Sequence, residues 1–556
     1  MSRPVVTEPE ASPPHGMAAG VAAGEGAQAG WGLPLAVLIA GMFMSILDIS
    51  IVNVAIPTIQ NEFGVTTDEV QWVVTGYTLA LGVVVPVTAW LGDRFGLSRV
   101  YTLALLAFAA GSALCGLAWD LNSLVIFRIV QAIPGGILPV ITLSILYRIV
   151  PRDRLGAAMG LYGLGVVFAP AIGPTLGGYL VEYVDWRLIF FINVPIGILG
   201  AVAAVLVLPG FPGRAGQRFD VLGFVTVAGG LFALLLALSE GQSWGWGSYR
   251  ILGLITVSVL SLALFVVIEL EVADPLLDIR VFRYWAYTHS LLLIAVLSVV
   301  LFGVLFYIPL FLQQAQGLGA FDAGVILLPQ ALVMGLLMPI AGRVYDRIGP
   351  RWPAASGLAI LATSTYLMHN LTIETSREQV MWWLVLQGVG LGIAMMPIMA
   401  GGMAILPVTH VNVASAYNNV VQRVAGALGL AVLTAIFTTQ QAQQLAGRAA
   451  LLPADTSTPL LGPTAPAWAG QYATQRMTEL QVFVAAIDDL FLIAAALSAL
   501  GALGALLLRS GPAPATPAGF APSQQATTPS TSANGDPTRQ ANELVDVGID
   551  TRPRDT

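Results

Sequence analysis

The sequence predicts an all-α polytopic membrane protein with fourteen transmembrane helices. Composition, the length of the apolar runs and the placement of the arginines all lead there. Of 556 residues, 56% are hydrophobic and only 10% are charged, against about 25% charged in a soluble domain. That much apolar side chain cannot be hidden inside water-soluble domains. A span needs about 20 apolar residues. Fourteen runs qualify: 33–56, 70–91, 99–118, 122–147, 157–181, 188–209, 219–239, 250–270, 288–313, 322–342, 351–371, 380–405, 412–438 and 482–508. They must be helices, because lipid offers no partner to unpaired backbone groups and the runs are too long for barrel strands.

Arginine orients the spans. With the N-terminus in the cytoplasm, the inner connections carry Arg94, Arg99, Arg148, Arg152, Arg154, Arg214, Arg218, Arg280, Arg283, Arg343, Arg347, Arg351 and Arg509. The outer connections carry only Arg187, Arg250, Arg377, Arg448 and Arg476. Thirteen against five is a consistent positive-inside signal. An even number of spans then returns the C-terminus to the cytoplasm. Tryptophans support the span ends: Trp72, Trp90, Trp119, Trp186, Trp285, Trp352, Trp382 and Trp383 all sit near them, as an interfacial aromatic belt requires. The N-terminal stretch has no basic flank running into a short apolar core, so the first apolar run is expected to remain as a span. A bacterial cytoplasmic membrane is the expected location.

Composition also excludes chemistry. All 24 basic residues are arginine, so no P-loop lysine and no lysine Schiff base can form. The single cysteine, Cys115, rules out internal disulfides and cysteine zinc sites; a small core hydrophobe is the simpler reading. The four histidines are scattered without metal-ligand spacing. No nucleophile–base pair or nucleotide motif is visible. An enzyme, a resident cofactor and a nucleic-acid partner are therefore not expected.

One feature repeats. LGDRFGLSR at 91–99 joins spans 2 and 3, and GRVYDRIGPR at 342–351 joins spans 10 and 11. Asp93-Arg94-x-Gly96 aligns with Asp346-Arg347-x-Gly349 at an offset of 253 residues, on the same face of the membrane. This implies a parallel duplication of a six-span unit, which is the plan of the major facilitator fold. The expected organisation is a disordered tail over 1–30, an N-terminal six-helix half over 31–210, an inserted two-helix hairpin over 211–272, a C-terminal six-helix half over 273–510 with an outer loop at 439–481, and a second disordered tail over 511–556. Gly96 and Gly349 permit a tight turn. Arg94, Arg99, Arg347 and Arg351 hold the cytoplasmic side. Asp93 and Asp346 can accept hydrogen bonds from a neighbouring helix N-terminus. The loops thus form a candidate cytoplasmic gate; a plain topogenic turn would need the arginines alone.

Polar residues inside spans are the other candidates, because they are costly in lipid. Asp48 lies deep in span 1 and Arg128 deep in span 4. At 1.5 Å per residue their depths differ by about 3 Å, so they can pair or face one cavity. Asp48 can take up a proton and Arg128 cannot. They form a candidate proton-coupling pair, with a static ion pair as the alternative. Span 5 carries APAIGPTLGG at 169–178, where Gly173, Gly177 and Gly178 allow close helix approach and Pro174 bends the span. That composition fits ordinary small-residue packing or a pliant helix between the halves. Span 13 carries Asn418, Asn419 and Arg423, and spans 10 and 12 carry Gln330 and Gln387. Singly each fits an interhelical hydrogen bond. Together with Asn53 and Gln131 they are the candidate lining of a substrate cavity.

As a set these motifs resemble the fourteen-span drug:proton antiporter family of the major facilitator superfamily. LDISIVNVAIP at 47–57 resembles its first-span signature, with Asp48 and Asn53 in place. AWLGDRFGLSR resembles its loop between spans 2 and 3, with Ala89 where glycine is usual. RIVQAIPGG resembles its span-4 motif, keeping Arg128 and Gln131. GPTLGG at 173–178 resembles its antiporter motif, and DWRLIFFINVPIG at 185–197 resembles the stretch entering span 6. The resemblance covers about residues 31–510. It implies rocking of two halves around a central site in a monomer. It also implies export of amphipathic, often cationic, small molecules driven by the proton gradient. A dedicated exporter of one metabolite, lipid or siderophore is the alternative on the same fold.

Overall fold

The structure is a computed structural model that describes residues 30–151, 154–213, 216, 218–272, 274–449 and 467–508. The expected tails, the middle of the 439–481 segment, and Arg152, Arg214 and Arg509 lie outside the described residues. The described chain is helical, with no strand among the described residues.

Fourteen long helices follow one another: α1 Gly32–Phe63, α2 Trp72–Phe95, α3 Leu97–Gly116, α4 Leu121–Ile149, α5 Leu155–Tyr183, α6 Leu188–Val207, α7 Val221–Trp244, α8 Tyr249–Glu271, α9 Trp285–Gln314, α10 Ala320–Ile348, α11 Arg351–Met368, α12 Arg377–Met403, α13 Val411–Ala449 and α14 Ala467–Ala505. Thirteen of them are long and apolar enough to cross a membrane among the described residues. The exception is α11, which carries several hydroxyls. Ser364 and Thr365 return theirs to the Leu361 carbonyl at 2.9 and 2.8 Å, which hides their polarity within the helix. Helix starts follow local chemistry: Asp120, Asp220, Ser248 and Ser376 each accept a backbone N–H of the first turn. Gly96 and Gly349, at φ +89° and +80°, end α2 and α10 in backbone conformations that disfavour a side chain.

The 439–481 segment is not one long loop. Helix α13 runs on to Ala449 and α14 begins at Ala467. Its Gln- and Ala-rich ends favour helix although they are too polar for a span. The Arg476–Glu479 pair at 3.6 Å and the Gln475–Glu479 hydrogen bond at 3.1 Å support the second end.

Packing reproduces the sequence repeat. In the first six helices α1 packs on α4, α5 and α6, α4 packs on α2 and α3, and α3 packs on α6. Adding eight to each number gives pairings that are also present: α9 with α12, α13 and α14, α12 with α10 and α11, and α11 with α14. The two halves meet along two seams, α5 with α10 and α2 with α13, which the same rule interchanges. Helices α7 and α8 break that symmetry. Helix α7 lies against both α2 and α13, whereas α8 packs mainly on α7. Leu79 of α2, Leu235 and Leu236 of α7, and Val424 and Ala427 of α13 form one apolar cluster there. Helix α8 turns Leu252, Val257, Leu260, Leu264 and Val267 outward, the apolar surface that a lipid-facing helix presents.

Candidate functional site

Asp48 and Arg128 meet as an ion pair, 0% and 1% exposed respectively. Helix α1 supplies the carboxylate and α4 the guanidinium. Arg128 Nη1 donates to Asp48 Oδ2 and also to Gln131 Oε1 at 2.8 Å. Gln131 Nε2 and Asn193 Nδ2 each donate to Asp48 Oδ1 at 3.1 Å. Both carboxylate oxygens are therefore occupied, by donors from α4 and α6. Asn193 also donates to Ser112 Oγ, which donates to the Phe190 carbonyl at 2.8 Å. The Tyr77 ring of α2 lies 3.8 Å beneath the Arg128 guanidinium, a cation–π contact strengthened by the absence of water. A buried ion pair persists only with excellent geometry and extra hydrogen bonds, and this network supplies both.

Asn193 and Ser112 were not among the candidates the sequence suggested. An amide in the otherwise apolar FFINVPIG stretch was the available signal. Gln131 was expected in the cavity lining but serves the ion pair, because it shares a helix face with Arg128 three residues away. Asn53 is exposed and takes no part; five residues beyond Asp48 it points about 140° around the helix.

The second constellation lies at the arginine-rich end of the bundle. Asn412 Nδ2, at the start of α13, donates to Asp93 Oδ1 at the end of α2. Arg148 Nη2 approaches Asn412 Oδ1 at 3.4 Å and Asp93 Oδ1 at 3.9 Å. Asp346 Oδ1, at the end of α10, accepts the Gly156 N–H in the first turn of α5 at 2.9 Å. Each aspartate of the repeated loop therefore engages the first turn of a helix in the other half. Arg99 and Arg347 are exposed, Arg94 is half-buried, and Arg351 lies 5.4 Å from the Trp352 ring. Gly96 abuts the Phe211 carbonyl in the segment leading to the hairpin.

At this end the backbones of α5 and α10 touch. A β-carbon on Gly342 would collide with the Gly156 carbonyl oxygen, and one on Gly160 with Pro339. Eighteen residues, five turns, preserve a helix face. Gly178 is eighteen beyond Gly160, and Gly324 is eighteen before Gly342; neither has a neighbour within 4 Å of a β-carbon. The α5–α10 seam is thus in backbone contact at the arginine-rich end, whereas Gly178 and Gly324 toward the other end face open space. Gly173 and Gly177 were expected to allow close helix approach, either in ordinary packing or between the halves. They meet Ser50 and Ile51 of α1, inside one half, with Pro174 one residue on from Gly173 in the same helix.

The remaining polar candidates belong to the C-terminal half. Gln330 Nε2 donates to Gln387 Oε1 at 3.1 Å, both buried. Asn418 Nδ2 lies 3.0 Å from the Met403 sulfur, and Asn419 Nδ2 donates to the Ser415 carbonyl at 3.0 Å. Arg423 is half-buried, and its Nε is buried without a hydrogen-bond partner.

Comparison with known proteins agrees with this architecture. Residues 38–430 match the family model of the Major Facilitator Superfamily. The tetracenomycin C resistance and export protein of Streptomyces glaucescens is 34% identical over 72% of this chain and 75% of its own length. A multidrug resistance protein B homolog of Mycobacterium tuberculosis is 33% identical over 71% and 74%. Among solved structures, the proton:xylose symporter XylE shares the fold, with a TM-score of 0.55 at 12% identity over 86% of this chain and 96% of that one. The duplicated helix pairings, the two seams and the matched family together establish that this chain belongs to the major facilitator superfamily and is a multi-pass membrane transporter, not an enzyme.

Proposed function

We propose that this transporter exports amphipathic small molecules across the cytoplasmic membrane in exchange for protons. The observation that carries the reading is the buried Asp48–Arg128 pair, whose carboxylate is fully ligated inside one half. The names of the relatives, which include antibiotic export and multidrug resistance, support efflux as the direction.

The arginine-rich end faces the cytoplasm by the positive-inside rule, with both termini on that side. The end of the α5–α10 seam at Gly178 and Gly324 then opens outward. In this state Asp48 is ionised and held by Arg128, Gln131 and Asn193. A proton arriving from outside neutralises the carboxylate. The neutral acid no longer holds the guanidinium, so Arg128 must find other acceptors and α1 and α4 are freed to shift. Reversal of the gate contacts at Asp93 and Asp346 opens the cytoplasmic side, where the proton leaves and substrate enters. Coupling arises because the ionised and neutral forms of Asp48 favour different packings, the differential interaction that any driven conformational change requires.

Proteoliposomes with an imposed pH gradient test this. Asp48→Asn keeps the shape of the side chain and removes its proton. Gradient-driven efflux is expected to fall to the level of empty vesicles while substrate binding persists. Undiminished efflux in the folded variant refutes the coupling role. Loss of the imposed gradient should likewise stop efflux by the native protein.

A further inference from the structure

Arg423 is a charge that no group among the described residues neutralises. It sits on α13, the C-terminal helix at the α2 seam, within electrostatic reach of Tyr77 of α2 and Tyr162 of α5 in the other half. Its Nε is buried without a hydrogen-bond partner, and the side chain enters no ion pair among the described residues. The carboxylate of the neighbouring network cannot serve it. Both oxygens of Asp48 are already engaged by Arg128, Gln131 and Asn193.

A guanidinium cannot lose its proton, and a charge drawn out of bulk water is stable only when paired. An arginine held open between two halves is therefore half of a binding interaction. Its planar donors suit a carboxylate, phenolate or phosphate-like group. Val420 and Val424 flank it on the same helix and are partly buried, which suits a ligand with an apolar body and one acidic group. We infer that Arg423 is the anion-binding residue of the central site, and that the transporter prefers amphiphiles carrying a negative charge over neutral or cationic ones. This rests on reading the chain as an exporter of amphiphiles, and it reverses the cationic preference that family resemblance implied. The anion has two possible sources, a free amphiphile and an acidic lipid headgroup.

The test is equilibrium binding to the purified full-length transporter in lipid nanodiscs. The probes are dansyl-aminoundecanoate, its uncharged primary amide and the chain-matched dansyl alkylamine, each corrected for empty nanodiscs. The carboxylate is expected to bind about tenfold more tightly than the amide, the scale of one charge-assisted hydrogen bond. Arg423→Gln should abolish that preference by weakening the carboxylate more than the amide, and Arg423→Lys should retain most of it. Phosphatidylcholine discs with and without phosphatidylglycerol separate the sources. Preference lost in the anionic discs assigns the site to a headgroup, and preference kept assigns it to the free amphiphile. No carboxylate preference in the native protein, or an equal loss for all three probes in Arg423→Gln, overturns the inference. Binding needs no gradient, so failed proton coupling leaves this outcome readable, and a failed anion site leaves gradient-driven efflux of the amide intact.

Discussion

The two halves share their helix pairings and differ in what they bury at the centre. The N-terminal half holds a closed ionic network in which Asp48, Arg128, Gln131 and Asn193 satisfy one another. The C-terminal half holds a neutral amide pair, Gln330 with Gln387, and a half-buried arginine, Arg423, that enters no ion pair among the described residues. Duplication therefore preserved the scaffold, while the polar centres diverged. A buried ion pair changes its energy greatly when a proton is added, and an amide pair does not titrate at all. Under the proposed coupling, the first half is the one that responds to protons. The second, by the inference above, offers a fixed charge to a ligand, because no group among the described residues pairs with Arg423.

The largest expected effect comes from breaking the N-terminal network on one side. Arg128→Ala leaves the Asp48 carboxylate buried with two amide donors and no cation. Removing one partner of a buried pair costs about 3–5 kcal/mol, which should appear as a large drop in the thermal unfolding midpoint in detergent. Adding Asp48→Asn to that variant removes the stranded charge and should restore most of the stability but not coupling. A stable Arg128→Ala single variant would mean that the pair is not what holds α1 to α4.

A smaller effect is expected at the gate end, where the halves meet by backbone contact. Gly342→Leu places a side chain where the Gly156 carbonyl already sits. The folded halves can tolerate it only by separating there, so the conformational balance should shift toward an open arginine-rich end. Spin labels at exposed positions 99 and 343, one in each half, would report this as a longer distance distribution. Turnover should fall at least about tenfold if closing that end costs about 1.4 kcal/mol more. An unchanged distance distribution would show that the seam has slack.

How much of this was legible in the sequence follows from the physics of each feature. Asp48 and Arg128 stood out because a charge within an apolar run is rare and local. The repeated Asp-Arg-x-Gly loops stood out because their spacing on the topology is regular. Asn412 and Arg148, which meet at Asp93, did not, because nothing local says that the start of α13 and the end of α4 converge on the end of α2. Gly156, Gly160 and Gly342 were equally silent. Glycine is common in membrane helices, and only the opposing backbone distinguishes a contact glycine from a lipid-facing one. At Gly173 and Gly177 the spacing signalled close approach but not which helix would approach. Gln131 was assigned to the cavity although its i, i+3 spacing from Arg128 already placed the two on one face.

The smallest effect should be found at the amide pair of the C-terminal half, and it sharpens the comparison most. Gln387→Leu alone strands the Gln330 amide in a buried site, which costs about 1–3 kcal/mol. Replacing both glutamines with leucine removes both demands at once, and replacing both partners of a buried hydrogen bond by apolar groups of similar shape is close to neutral. The double variant should therefore unfold within about 1 kcal/mol of the native protein and retain gradient-driven efflux. The matching double replacement in the N-terminal half, Asp48→Asn with Arg128→Ala, should recover stability yet abolish coupling. If the glutamine pair proves as indispensable to coupled transport as the ion pair, proton response is not confined to one half, and the polar centres diverged less in function than in charge.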